Sequence, residues 1–182
     1  MSGILDQRPV RVNLCFRIVT DLRRKTFERA IKLLAAKPRS VAELREWLLR
    51  AKNTDEATVE TVISRLSEYG YLNDERFAFS YASYKVKQRP IGRRRLERDL
   101  KFKKVDSGVA NEALEMVYAE TSEEELIDKA LAKRLRIRGK PKNRNEVKSL
   151  FDHLLRQGFD FELVSDKVRS LTTDDTDEVN SN

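Results

Sequence analysis

Residue types that could support catalysis are scarce in this sequence. The chain contains one histidine, His153, and one cysteine, Cys15, and neither has a second histidine or cysteine at metal-ligand spacing. The glycines are isolated and form no phosphate-binding loop. The carboxylates alternate with lysine and arginine at helical i,i+4 spacing, as in Arg93/Glu97, which is typical of solvated helix faces. We therefore expect a protein that is not an enzyme and that uses no metal and no cofactor.

The chemistry that the sequence does support is the binding of anions. The chain has 37 Lys+Arg against 30 Asp+Glu, a net charge of +7, which favours polyanions or acidic protein surfaces as partners. The segment from Lys85 to Lys104 holds ten cations and two anions, and the segment from Lys129 to Lys148 holds nine cations and one anion. Residues 106–128 between them contain eight acids and no cation. This banding favours a shaped protein partner or a filament over uniform coating of a nucleic-acid duplex.

Three cations of the first basic segment share one helical face. Arg94, Arg98 and Lys101 follow i, i+4, i+7 spacing, and no carboxylate interrupts the row. Like charges at i,i+4 spacing destabilise a helix by a few tenths of a kcal/mol. A sequence that accepts this cost is expected to use the three cations to bind an anion. We predict that the row binds a partner, with Arg89 and Arg93 at its rim. The alternative interpretation is a merely solvated face.

An aromatic cluster offers a second possible contact surface. Six aromatic residues fall close together and could stack on nucleic-acid bases: Tyr69, Tyr71, Phe77, Phe79, Tyr81 and Tyr84. The helical spacing of Phe77, Tyr81 and Tyr84 instead predicts packing in the core. Trp47 is predicted to be buried as well, whereas Phe79 and Tyr71 fit the spacing less well and stay candidate contacts.

The elements that position these residues are predicted to be helices. Glycine and proline are scarce, with 6 and 4 residues, and 37% of the residues are charged, which favours long helices over a many-stranded sheet. A helical pattern recurs along the chain, because three leucine pairs lie 52 and then 54 residues apart: Leu44/Leu48, Leu96/Leu100 and Leu150/Leu154. A polar break and a further amphipathic segment follow each pair, so we infer three copies of a three-helix unit.

The predicted fold is therefore all-α, with three tandem three-helix (helix-turn-helix-like) repeats stacked into an elongated curved array. The predicted boundaries are 26–74, 75–122 and 123–171. Apolar alternation between Val10 and Phe16 predicts that residues 1–25 form an extended N-terminal arm or a short extra element, and residues 172–182 are predicted to be an acidic, disordered tail. The single cysteine fits a reducing compartment, and no apolar span or signal peptide is evident, so we expect a cytoplasmic protein.

Four segments, in order and spacing, resemble the RecX family of RecA regulators over roughly residues 27–171. They begin as Lys37-Pro38-Arg39-Ser40, Gly70-Tyr71-Leu72-Asn73, Pro90-Ile91-Gly92 and Leu154-Leu155-Arg156-Gln157. The positions that match the family's motifs, which we expect to be structural, are Leu72, Asp74, Phe77, Ala78, Gly92, Leu96, Leu100, Gly158 and Phe159. One departure is Lys104, where the family usually has glycine, so we expect the end of that helix to be rebuilt.

The resemblance implies a monomeric, non-enzymatic modulator that binds the RecA–single-stranded DNA filament and restrains its activity. Such a protein would act in homologous recombination, DNA repair and the SOS response, away from membranes, and would meet single-stranded DNA through the filament or by weak direct binding. The alternative is a sequence-tolerant DNA-binding protein, since three-helix units resemble helix-turn-helix modules.

Overall fold

The computed structural model describes the backbone of residues 10–52 and 54–177 and the side chains of residues 21–52 and 54–171. Within these ranges every regular element is an α-helix, which confirms the predicted all-α class. The nine helices of this part are α1 (Val10–Ala36), α2 (Val41–Leu49), α3 (Glu56–Glu68), α4 (Asp74–Gln88), α5 (Arg93–Phe102), α6 (Ser107–Glu120), α7 (Glu123–Arg138), α8 (Arg144–Gln157) and α9 (Phe161–Asp177).

The two ends of the described chain differ from the prediction. The expected extended arm is wrong from Val10 onward, because the backbone there is the first part of α1. The misleading alternation has a simple source: Val10 and Leu14 are also four residues apart, which suits a helix equally well. The expected disordered tail is wrong for residues 172–177, which continue α9, since extending a packed helix is far easier than nucleating one. Residues 1–9 and 178–182 lie outside the described residues.

The first compact unit spans Met1–Asp74. In it α1 packs against α2 and α3, and the buried core consists of Ala30, Leu44, Leu48, Val59, Val62, Ile63, Leu66 and Leu72. The start of α2 is fixed by the predicted capping box, in which the Glu43 N–H donates to Ser40 Oγ at 3.1 Å and the Ser40 N–H donates to the Glu43 carboxylate. The Val41 N–H donates to Asp74 Oδ1 at 2.9 Å, which ties the end of the unit to α2.

The second compact unit spans Glu75–Asn182. Its core draws buried residues from α4 through α9, including Ile91, Leu96, Leu114, Ile127 and Leu154. The predicted boundary between residues 122 and 123 falls inside this unit. Side chains of the predicted second and third repeats therefore share one core.

The start of α5 and the end of α8 approach each other within this second unit. The Gly92 N–H donates to Gln157 O at 3.0 Å, and the Arg94 N–H donates to Gly158 O at 3.1 Å. A Cβ at Gly92 would overlap the backbone of Gly158 and Phe159, and a Cβ at Gly158 would collide with Arg95. Only glycine fits at these two positions, so this backbone contact sets the position of α5.

The end of α5 is not rebuilt, contrary to the expectation from its sequence. Lys104 adopts the left-handed conformation itself, with φ 57°. The Val105 N–H donates to Leu100 O at 3.2 Å and the Lys104 N–H donates to Lys101 O at 2.9 Å, which is the bond pattern of a Schellman motif. The buried side chain of Val105 completes the motif, so its contacts hold a lysine where glycine would be unstrained.

Candidate functional site

The predicted cation row lies on the outer face of α5. Leu96 and Leu100 are fully buried, so the opposite face of this ten-residue helix is turned outward. The first backbone amides of α5 are already used: the Arg93 N–H donates to Glu123 Oε1 at 3.0 Å and the Arg94 N–H to Gly158 O. An anion would therefore be bound by side chains of α5 and not by its N-terminus.

Two of the five predicted contact residues are engaged in ion pairs inside the unit. Arg94 Nη2 lies 2.5 Å from Asp160 Oδ2, although it has no acidic partner on its own helix. Arg93 is half-buried and bridges Glu97, at 3.2 Å, and Glu115, at 2.9 Å. The hydrogen bond to Glu115 holds the pKa of Arg93 above its ordinary value, despite the opposing effect of burial. Both arginines therefore help to fix α5 in place.

The other three predicted contact residues are open to solvent. Arg89, Arg98 and Lys101 are exposed, and none forms an ion pair within the described side chains. Arg98 Nε donates only to Arg94 O, 3.3 Å away on the same helix. These three cations are the members of the predicted set that can receive an external anion without breaking an internal ion pair.

Sequence reasoning missed a residue at the end of this row. Phe102 is 89% exposed, the highest value among the large exposed apolar side chains of the described residues. The signal was present in the spacing, because Phe102 lies four residues after Arg98 and so shares its face. Next to it, Lys103 turns back, with its Nζ 5.2 Å from the Tyr81 ring centroid and 5.8 Å from that of Phe77.

The aromatic residues divide differently from the prediction. Phe77 is buried and Tyr81 partly buried, whereas Tyr84 is exposed, so its predicted place in the core is wrong. Trp47 was also expected in the core but is 41% exposed, with the Arg39 guanidinium 4.9 Å and that of Arg50 5.4 Å from its ring centroid. The reason in both cases is that smaller side chains on the same helices already fill the inner faces. Of the two candidate contacts, Tyr71 is exposed, but Phe79 packs partly buried against the core.

The remaining candidate residues show no arrangement for catalysis. His153 is half-buried, and burial, followed by the charges of Arg134 and Arg156, lowers its pKa below the ordinary value. No group of His, Cys, Asp and Glu in the described part of the chain could hold a metal ion. The side chain of Cys15 lies outside the described residues. The second basic segment, which includes the exposed Lys133 and Arg136, lies on α7, α8 and their connection.

The first unit has a basic groove of its own, between α1 and α3. Its cavity volume is about 480 Å³, and it is lined by Arg23, Arg24, Phe27, Thr61, Val62, Arg65 and Tyr69. Arg24 is paired with Asp21 at 2.9 Å and with Glu28 at 3.5 Å. The other two cations of the groove, Arg23 and Arg65, form no ion pair among the described side chains. Cationic surface is thus present in each unit.

Two family models match the chain, one after the other. Residues 27–66 match the first three-helix domain of RecX, and residues 73–114 match its second three-helix domain. The regulatory protein RecX of Bacillus subtilis is 32% identical over 158 residues, which cover 85% of this chain and 59% of the relative. That of Oceanobacillus iheyensis is 25% identical over 158 residues, covering 86% and 57%. The chain thus spans less than three fifths of the length of these curated relatives.

Solved structures show the same fold. A crystal structure of RecX from Lactobacillus salivarius superposes with a TM-score of 0.73 at 21% identity, covering 85% of this chain and 99% of that one. A second crystal structure of a regulatory protein RecX gives a TM-score of 0.74 at 20% identity, covering 91% and 79%. Among the described residues, no helix is long and apolar enough to cross a membrane. With both three-helix domains matched in order and named relatives aligned over most of its length, the chain belongs to the RecX family of regulatory proteins.

Proposed function

We propose that this protein restrains the RecA recombinase by binding the RecA–single-stranded DNA filament, and that it thereby acts in homologous recombination, DNA repair and the SOS response. The observation that carries the proposal is the match of residues 27–66 and 73–114 to consecutive RecX domains. We expect it to act as a cytoplasmic monomer that reaches single-stranded DNA through the filament.

The surface of α5 supports this proposal. Arg98 and Lys101 are exposed and have no acidic partner among the described side chains. They can therefore contact an acidic protein surface or phosphate without breaking an ion pair inside the protein. Arg89 lies nearby in sequence, in the link that leads into α5. A filament repeats its surface along its axis, and a helix fixed by backbone contacts at its start suits recognition of such a regular surface.

The alternative, duplex binding through helix-turn-helix-like repeats, is opposed by the charges of the helices that would enter the groove. In such a motif the second helix of the pair lies in the major groove. In this chain α6 carries Glu112, Glu115 and Glu120 and no cation, and α3 carries three glutamates and one arginine. Helices of this charge would repel phosphate, so we do not propose groove readout by these elements.

The direct test is a titration of the protein into RecA-coated single-stranded DNA while ATP hydrolysis is followed. We expect turnover to fall as the protein approaches the RecA concentration. Filament binding is measured in parallel by anisotropy of the labelled protein, with the double variant Arg98→Glu/Lys101→Glu as the matched control. Unchanged ATP turnover together with absent binding at equimolar or higher protein would reject the proposal.

A further inference from the structure

We infer that Phe102 is the apolar anchor of the partner-binding surface on α5, and that the strained Lys104 frames it with positive charge. The occupant that fits is a protein surface with an apolar pocket edged by carboxylates. This inference rests on the proposed function, because the partner used to test it is the RecA filament.

The first step is the exposure of Phe102 itself. Its side chain is 89% exposed, although it ends a helix whose Leu96 and Leu100 are completely buried. A single exposed apolar residue is common on protein surfaces and means little alone. A phenylalanine that contacts almost nothing in its own chain, however, gives its whole apolar area to a partner, and such aromatic residues dominate the energetics of protein interfaces.

The second step is the backbone of Lys104. It is the described non-glycine residue with positive φ, at 57°, in a turn where glycine would be unstrained. The left-handed backbone by itself therefore favours glycine at this position. The lysine that occupies it is exposed and places a further cation two residues from Phe102.

The third step is the shared face. Phe102 follows Arg98 by four residues, so on the helix it lies beside that cation and away from Leu96 and Leu100, with Lys101 preceding it in the chain. The turn that follows is fixed by the bond from the Val105 N–H to Leu100 O and by the buried Val105 side chain. The anchor is therefore held on a rigid helix end, which reduces the entropy lost on binding.

A protein pocket fits this surface better than a nucleic-acid strand does. A nucleic-acid strand needs a cationic track along its backbone. Here the track ends within a few residues of Phe102, because α6 (Ser107–Glu120) carries no cation. Nucleic-acid platforms also use several aromatic side chains along a cationic track, whereas Phe102 is the one aromatic residue of α5.

The test compares filament binding and thermal stability for three single variants. For Phe102→Ala we expect at least about 30-fold weaker binding with an unchanged melting temperature, because the side chain packs against so little. For Lys104→Gly we expect a melting temperature about 2–4 °C higher and binding about threefold weaker. Met116→Ala, on the acidic α6 and also exposed, is the matched control and should change neither quantity.

A photo-crosslinking amino acid at position 102 then identifies the occupant, with the same group at position 116 as control. An adduct between position 102 and a protein protomer of the filament supports the inference, and an adduct with the DNA strand overturns it. If wild-type protein does not bind the filament, the proposed function fails. If wild-type protein binds and Phe102→Ala binds within twofold of it, the anchor is refuted while the proposed function stands. A Lys104→Gly variant that gains stability and keeps full affinity would refute the role of Lys104.

Discussion

At the residue scale, the position of α5 depends on two glycines and one carboxylate that contact its first turn. Gly92 and Gly158 let the backbones of α5 and α8 meet, and Glu123 accepts the N–H of Arg93 at 3.0 Å. These residues lie on the side of α5 that faces the protein core, whereas Arg98 and Lys101 are exposed. Substitutions on the inner side should therefore change stability, and those on the outer side should change binding.

The first prediction at this scale concerns Gly92→Ala. The new Cβ would overlap the backbone of Gly158 and Phe159, which cannot move aside as a flexible side chain can. We expect the free energy of unfolding to fall by about 3 kcal/mol, measured by denaturant titration. Gly108→Ala is the control, since its Cβ would meet only the Asp106 carboxylate, at 3.1 Å, and should stay within about 1 kcal/mol of wild type. Equal stability of the two variants would contradict the contact.

The second prediction concerns Glu123. Burial raises the pKa of this carboxyl, and the charge of Asp160 adds to the rise, against the hydrogen bond from Arg93. A raised folded pKa means that its contribution to stability is fully present below the unfolded value of 4.5 and is lost as pH rises through the folded value. Wild type should therefore lose melting temperature relative to Glu123→Gln as pH rises above the unfolded value of 4.5.

The matched control for this pH series is Glu124→Gln, which removes the same charge from an exposed neighbouring position. Both variants have the same net charge, so general charge effects cancel between them. A melting-temperature difference between wild type and Glu123→Gln that does not change with pH would contradict the raised pKa.

At the scale of the element, α5 carries two kinds of cation: one kind forms ion pairs within the unit, and the other is exposed and can contact a partner. Arg94 is paired with Asp160, which also caps α9 by accepting the Glu162 N–H at 2.8 Å. Arg98 and Lys101 have no such partner among the described side chains. The row that looks uniform along the sequence is thus divided by one contact between helices.

Charge reversal at Arg94 should therefore lower stability, whereas charge reversal at Arg98 and Lys101 should weaken filament binding. Arg94→Glu should lower the free energy of unfolding by about 1 kcal/mol, because an exposed ion pair becomes a repulsion. Arg98→Glu/Lys101→Glu should stay within about 0.5 kcal/mol of wild type, keep its helix content, and bind the filament at least about tenfold more weakly. Circular dichroism and anisotropy measure the two effects. Undiminished filament binding by the double variant would remove these residues from the binding surface.

At the scale of the whole molecule, the chain combines a net charge of +7 with two units that have separate described cores. Residues 106–128, between the two basic segments, contain eight acids and no cation. The overall excess of positive charge favours encounter with a polyanionic filament, and the arrangement of charge limits the orientations in which contact is favourable.

Binding to the filament should consequently weaken as salt is raised from about 0.05 to about 0.2 M, because mobile ions screen the attraction. In the neutral variant Arg98→Gln/Lys101→Gln the dependence on salt should be shallower, since two of the interacting charges are gone. Met116→Ala should follow wild type. Identical salt dependence in the double variant and wild type would mean that other cations, such as those of the second basic segment, make the contact.

The sequence by itself determined the features that depend on residues within about four positions of one another. The period of the leucines predicted the helices, Ser40 and Glu43 predicted the start of α2, and a row of cations on the outside of α5 followed from spacing. These are local interactions, and a helix satisfies them wherever it lies. Local spacing failed where two periods overlapped, as in the first part of α1, and where it was used to infer burial, as for Tyr84.

The tertiary structure alone decided which of these features are available to a partner. The ion pair of Arg94 with Asp160 joins residues 66 positions apart, and the approach of Gly92 to Gly158 spans the same separation. Whether Trp47, Tyr84 and Phe102 are buried depended on what other side chains already filled the core. Such contacts arise from the packing of distant helices, which no local pattern encodes.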